Sequence, residues 1–283
     1  FFVKKVWSRA LVVLAGVLVN FTIAVGIFYF IVIQANFRLP FMAEVPVTYD
    51  FKFLDQQHYV FVAQVNDASP ASEAGIVAGD LIVAVNGQAV GDVSKLQEII
   101  KSSGEKQLEI SLKDSETFGE RTTTAVPKFN ETVNGPAVGV GLGEIDFLVY
   151  KTLPQKIFSG FIHSYNLLGF SVKVMGKLIS EAIISRNIAP LSGAVSGPVG
   201  IAQASAVFVS EGFLATLSFA GLLSLNLAVL NVLPIPALDG GRFFFILIEI
   251  ITRRRVYPKF EKWAHTIGFA LLLALIVLVT FND

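Results

Sequence analysis

Leu11 to Ile33 is an uncharged apolar run of 23 residues. At 1.5 Å rise per residue, a helix of that length crosses a hydrocarbon core about 30 Å thick. Two further runs of spanning character come late in the chain, Phe213 to Leu233 and Trp263 to Phe281, with a shorter apolar stretch from Phe243 to Ile251 between them. Between the first and second runs the pattern changes twice. From Val45 to about Leu142, short alternating segments separated by turn residues predict a folded domain of about 95 residues. Tyr59 to Val65 and Leu81 to Val85 read as strands, and Leu108, Ile110 and Leu112 alternate with polar neighbours as a half-buried strand does. Asn86-Gly87 marks a tight turn. Ser94 and Gln97 have the spacing of a capping box for a helix carrying Leu96, Ile99 and Ile100 that closes near Gly104. Over residues 154–186, Phe158, Phe161, Ile162, Tyr165, Val172, Met175, Ile179 and Ile183 interleave with Lys156, His163, Lys173, Lys177 and Glu181. That spacing predicts one or two helices lying in the membrane interface; packing onto the folded domain is the alternative. The chain thus divides into a first span with its link (1–44), a folded domain (45–143), an amphipathic segment with a Gly/Pro loop (144–212), and a second membrane region (213–283).

The stretch Leu225 to Gly241 breaks the texture of its own span. It carries Asn226, Asn231, Pro234, Pro236 and Asp239. A proline inside a helix removes one backbone bond and clashes with the carbonyl four residues back, so a helix running through both prolines would free the carbonyls of Leu230 and Val232. Broken backbone at membrane depth is tolerated only where it is buried in protein or lines a wet cavity. An intramembrane carboxylate such as Asp239 is a functional candidate by default. In the first span, Ala15-Gly16 and Asn20 form a small and polar face that either packs on a neighbouring helix or takes part in chemistry.

Composition agrees with a membrane protein: 53% of the 283 residues are hydrophobic, 16% are charged, and the mean hydropathy is +0.65. A formal net charge of zero and the lack of a basic stripe argue against a nucleic-acid partner. The absence of cysteine excludes disulfides, thiolate metal ligands and a cysteine nucleophile from this sequence. Lys4, Lys5 and Arg9 precede the first span and Arg253-Arg254-Arg255 follow the second, so the positive-inside rule puts both clusters in the cytoplasm. The folded domain then lies outside, with Asp239 toward the cytoplasmic side. Glu249 is spaced for an i,i+4 pair with Arg253. His58, His163 and His265 have no second histidine at ligand spacing, and each is expected at an interface or the surface. The fold class that follows is an α-helical polytopic membrane protein with three spans and an inserted extracytoplasmic α+β domain.

Ser69-Pro-Ala-Ser-Glu-Ala-Gly-Ile-Val-Ala-Gly-Asp-Leu-Ile-Val-Ala-Val-Asn-Gly87 resembles the signature of bacterial PDZ domains. Such domains bind peptides by strand addition. The resemblance places the carboxylate-type loop at Gly135 to Gly143, with Val138, Gly139 and Val140 in the groove; a flexible link back to the membrane is the other reading of that glycine-rich stretch. Asn231-Val-Leu-Pro-Ile-Pro-Ala-Leu-Asp-Gly-Gly241 matches the third motif of the site-2 protease family, NxxPxPxLDGG. Ser224-Leu-Asn226, Gly197-Pro-Val-Gly-Ile201 and the run from Arg9 to Ala24 also look like that family, although Val17 stands where its members usually have proline. The order of span, PDZ-like domain, amphipathic segment, span and span is similar to the RseP-like bacterial branch.

The resemblance implies an intramembrane zinc endopeptidase of the bacterial inner membrane. It would cut transmembrane segments of regulatory or signal-peptide substrates, screened by the PDZ-like domain. Asp239 would be the third zinc ligand. Asn226, Asn231, Pro234 and Pro236, with Asn20, would hold an extended substrate strand. The family's other two zinc ligands and its general base belong to an HExxH helix, and no HExxH occurs in this sequence, so none of the catalytic residues is present. The expectation is an N-terminally truncated fragment that neither binds catalytic zinc tightly nor cleaves. A non-catalytic, membrane-anchored PDZ protein that binds peptides is the competing reading.

Overall fold

The structure, a computed structural model, describes residues 6–41, 47–115, 117–131, 134–187, 197–252 and 257–282. In chain order the elements are α1 (Val6–Gln34), β1 (Arg38–Phe41), β2 (Asp55–Val65), α2 (Pro70–Glu73), β3 (Asp80–Val85), β4 (Gln88–Ala89), α3 (Val93–Ser103), β5 (Leu108–Asp114), β6 (Glu120–Ala125), β7 (Lys128–Asn130), β8 (Gly135–Ala137) and β9 (Val140–Val149). There follow α4 (Leu153–Ile157), α5 (Ser159–Ser185), α6 (Pro198–Ser210), α7 (Phe213–Val232), α8 (Asp239–Thr252) and α9 (Pro258–Asn282). They form two compact units: a helical one over Phe1–Phe37, Val45–Phe53 and Lys151–Asp283, and a sheet unit over Arg38–Glu44 and Leu54–Tyr150.

The sheet unit has strand order β1-β9-β2-β3-β5-β6, with β4 on β3 and a separate β7-β8 pair. It extends beyond residue 143, where the sequence pattern ended the domain, because β9 continues to Val149 between β1 and β2. Alternation, with a bulge in β3 between Ile82 and Ala84 that brings Val85 to the same side as Ile82, sorts the side chains: Val60, Val62, Ile82, Val85, Leu108, Ile110 and Leu112 turn inward against Leu96 and Ile100 of α3. The opposite face carries Leu81, Phe147 and Val149. Asn86 and Gly87 both take positive φ (52° and 74°), as a two-residue hairpin turn requires. The cap of α3 is Asp92, whose carboxylate accepts the Lys95 N–H at 2.7 Å, and not the Ser94 that the sequence offered. Asp92 lies just outside the first helical residue, where an acceptor reaches an unsatisfied donor. The Gly79-Asp80 pair of the PDZ-like signature also has a local reason. Asp80 is buried, accepts the Val77 N–H at 2.8 Å and pairs with Arg121 of β6.

In the helical unit, α1 and α7 are long and apolar enough to cross a membrane. They run antiparallel: Gly221 of α7 meets Ile27 and Phe28 of α1, while the residues just past α7 reach Gly16. α5 is one long helix laid on the C-terminal half of α1. Gly160 makes the contact, since a Cβ there would stand 2.3 Å from the Val25 carbonyl oxygen. Phe161, Tyr165, Val172, Met175, Ile179 and Ile183, whose spacing predicted an interfacial helix, are exposed along α5 and not packed in a core. Residues 47–53 are strapped to this helix. The buried Asn166 side chain accepts the Lys52 N–H at 2.7 Å and donates to the Lys52 carbonyl at 2.9 Å, and Tyr49 and Phe51 pack on Phe170.

His163, expected at the surface or interface, is buried on α5 with its ring 5.0 Å from that of Phe28. Burial disfavours the imidazolium and lowers its pKa from 6.5 to about 4. A lowered folded-state value means that the unfolded chain binds the proton first, so the stability contribution is complete above pH 6.5 and disappears as pH falls toward 4. Purified protein should therefore lose on the order of 2–3 kcal/mol of stability between neutral pH and pH 4 through this group. His163→Leu should flatten that part of the pH–melting curve; an identical acid limb in the variant would remove His163 as its source.

Candidate functional site

The break after α7 is built by its prolines in a way the sequence did not show. α7 stops at Val232, and Leu233 turns extended (φ −61°, ψ 140°), the conformation imposed on a residue before proline. Pro234 and Pro236 thus lie beyond the helix. The Leu230 carbonyl, expected to be free, accepts the Leu233 N–H at 3.2 Å. The chain then descends through short turns, Ile235 N–H to Leu233 O at 2.7 Å and Leu238 N–H to Ile235 O at 3.1 Å, into α8.

Glycines let these carbonyls come close to helices. A Cβ on Gly240 would stand 2.1 Å from Leu233 O, one on Gly241 2.4 Å from Ile235 O, and one on Gly268 of α9 2.1 Å from Pro236 O. His265 of α9 completes the hold: its Nδ1 accepts the Ala237 N–H at 3.0 Å, which fixes a residue at φ 101°. His265 is therefore a latch on the loop, a role the sequence did not suggest. A single histidine gave no sequence signal for this, because its partner is a backbone group 28 positions away.

Asp239 opens α8, where the unsatisfied N–H groups and helix dipole favour a carboxylate. Its Oδ2 lies against Gly16 of α1, 3.4 Å from where a Cβ would be. The structure thus brings together Asp239 and the Ala-Gly face of the first span. Asn20 follows Gly16 by one helical turn on that face and is half-buried. Asn226 is exposed and Asn231 half-buried at the last turn of α7; five residues apart, they point about 140° from each other around the helix.

A catalytic zinc ion takes three protein ligands and keeps one open position. Asp239 suits one of these. His58 is exposed and bonded to Asp146 at 2.8 Å, His163 is buried against Phe28, and His265 is engaged by Ala237. Among the described residues no group of three or more His, Cys, Asp or Glu side chains is arranged to hold a metal. The donors described here do not by themselves make a zinc site.

A second long-range contact escaped the sequence. Glu249, spaced for Arg253, which lies outside the described residues, receives the guanidinium of Arg9 from α1. In the sheet unit, the Gly135–Gly143 stretch forms β8 and the start of β9 and is not a flexible link. Its backbone is held by Asn66 N–H to Gly139 O and Ala71 N–H to Val138 O, both 2.9 Å. Val138, Gly139 and Val140 line a cavity of about 290 Å³ beside α3, with Ile100, Lys101 and Asn66 among its walls. Of the family-like Gly/Pro loop, residues 192–196 lie outside the described residues, and Gly197 with Pro198 starts α6.

A helical core with two helices long and apolar enough to cross a membrane, broken just ahead of a carboxylate and joined in sequence to a PDZ-like sheet unit, fits a class of membrane protein. The chain belongs to peptidase family M50, which it matches over residues 1–275. It is 27% identical over 286 aligned residues to the zinc metalloprotease RasP of Oceanobacillus iheyensis, covering 99% of this chain and 60% of that protein. It is 30% identical to the regulator of sigma-E protease RseP of Salmonella typhimurium over 232 residues, 78% of this chain and 49% of that protein. The chain therefore spans about half to three fifths of the length of these two relatives. Among solved structures, the PDZ domain of the SdrC-like protein from Listeria monocytogenes is similar over 35% of this chain and 93% of its own, at 25% identity and a TM-score of 0.27.

Proposed function

We propose that the full-length protein is an intramembrane zinc endopeptidase that cuts transmembrane segments of regulatory or signal-peptide substrates. The observation that carries this reading is the complete Asn231–Gly241 motif in a chain of family M50, with Asp239 seated on Gly16 at the head of α8. Asp239 is one zinc ligand; the family's paired histidines and glutamate base come from sequence outside residues 1–283. The loop from Leu233 to Leu238, between Asn231 and Asp239, supplies non-helical backbone, extended at Leu233 and turned beyond it, against which a substrate strand lies, with Asn20 on α1 and Asn226 on α7 as further polar contacts. α9 is the third span. The exposed apolar row of α5 rests in lipid at the outer interface, and the sheet unit, outside the cytoplasm, receives a peptide or substrate segment at the Val138–Val140 groove. The membrane is the bacterial inner membrane.

Metal removal tests this. Full-length protein in liposomes is expected to cleave a model transmembrane segment, to lose that cleavage when a zinc chelator is added, and to regain it with Zn²⁺. Undiminished cleavage by metal-free protein would overturn the zinc assignment. A protein that binds peptides at the sheet unit yet never cleaves would leave the anchored adaptor.

A further inference from the structure

Arg9 and Glu249 form an ion pair buried on both sides, with side chains 3% and 6% exposed. Arg9 Nε has no hydrogen-bond partner among the described residues. Glu261 of α9 is buried in the same neighbourhood and interacts electrostatically with Glu249, Arg9 and Arg242. Removing such charges from water is expensive, and a buried pair is poor evidence of net stability; its best-attested use is to fix register.

The register here leads to Asp239. On α1, Val6, Arg9, Ala10, Val13 and Gly16 share one face, and on α8 Asp239, Phe243, Ile246 and Glu249 do the same. The two stripes meet antiparallel. Gly16 faces Asp239, Ala10 and Val13 pack on Ile246 with Val6 and Phe243 alongside, and Arg9 binds Glu249. The middle of this seam is apolar on both sides, so its packing has no charge or hydrogen bond to direct it. A slip of one turn would move Asp239 about 5.4 Å along α1, whereas metal–ligand distances hold to about 0.2 Å. Along these two faces opposite charges meet at Arg9 and Glu249, and that contact is lost in any other register.

We propose that the Arg9–Glu249 pair is a positioning device: it sets the register of α8 on α1 and so holds the Asp239 carboxylate at Gly16. As far as it concerns metal, this rests on the zinc assignment above; as far as it concerns register, it stands alone. Residues 1–283 contain no cysteine, so introduced thiols report on the seam without interference from this segment.

In full-length protein in membranes, disulfide formation between Val13→Cys and Ile246→Cys is compared with that of an offset pair, Val13→Cys and Ile250→Cys. Zinc per polypeptide is measured separately in protein without the introduced cysteines. The informative variant is the apolar double, Arg9→Met with Glu249→Leu, which removes the charges while filling their space. It is expected to keep a melting temperature near that of the parent, to lose the preference for the in-register pair, and to retain about 10–100-fold less zinc. Glu249→Asp, which keeps the charge but shortens the reach, should show the same two changes in weaker form and covers the case of a double variant that fails to fold. An apolar double variant, or failing that a Glu249→Asp variant, with the parent's cross-linking preference would overturn the proposal. Lost preference with no zinc in the parent itself would uphold the register and remove the zinc assignment.

Discussion

Asp239→Asn in the full-length protein is expected to abolish cleavage of a transmembrane substrate and to lower zinc retention by more than about 100-fold, beyond the loss typical of residues that merely support a ligand. Asparagine keeps the size of the side chain but not its charge. At the head of α8 that exchange costs at most about 1 kcal/mol, since asparagine still serves a helix start and only the dipole interaction is lost. The signature is therefore loss of metal and activity with a nearly unchanged melting temperature. Stable, metal-loaded and active Asp239→Asn protein would take Asp239 out of the site; a variant that lost its fold along with its metal would point to a scaffold role at the α1–α8 seam.

The second large effect is expected from the glycines beneath the broken loop. Gly240→Ala puts a methyl group 2.1 Å from the Leu233 oxygen, and Gly268→Ala puts one 2.1 Å from the Pro236 oxygen. Both obstacles are backbone, which cannot rotate away as a side chain can. The cost should lie at or above the upper end of the range of about 1–3 kcal/mol for overpacking. The loop would have to lift from α8 or α9, taking Ala237 from its hydrogen bond to His265. Gly26→Ala is the control. It also lies within a helix, but nothing stands within 4 Å of its added carbon, so it should be neutral or stabilising by about 0.5–1 kcal/mol. Melting curves and cleavage assays on the three variants should separate them; equal behaviour of Gly26 and Gly240 would show that the loop gives way freely.

What could be seen in the sequence was local or repeated in a signature. The span of α7, the Asn86-Gly87 turn and the strands around Leu81 and Leu108 follow from periodicity and turn chemistry within a few residues of one another. Asp239 stood out by its polarity in an apolar run. Other features depended on distant partners. Glu249 had an arginine at ideal local spacing, and nothing in the spacing indicated that Arg9, 240 positions away, would reach it. Gly240, Gly241 and Gly268 could be noticed as glycines, but which carbonyl each accommodates is decided by the descent of the chain after Pro234. The prolines themselves were read as kinks inside a helix because the hydrophobic pattern ran on to Leu233; the restriction they place on the preceding residue ended the helix first. At Asp92 and Ser94 two caps of similar quality competed, and the sequence pattern favoured the wrong one.

β1 pins the C-terminal end of β9. β2 occupies one edge of β9 along its whole length, while β1 takes the other only from Asp146 to Val149. Asp146 to Val149 are thus paired on both sides, and β1 leaves the sheet only by breaking its ladder with β9 at those four positions.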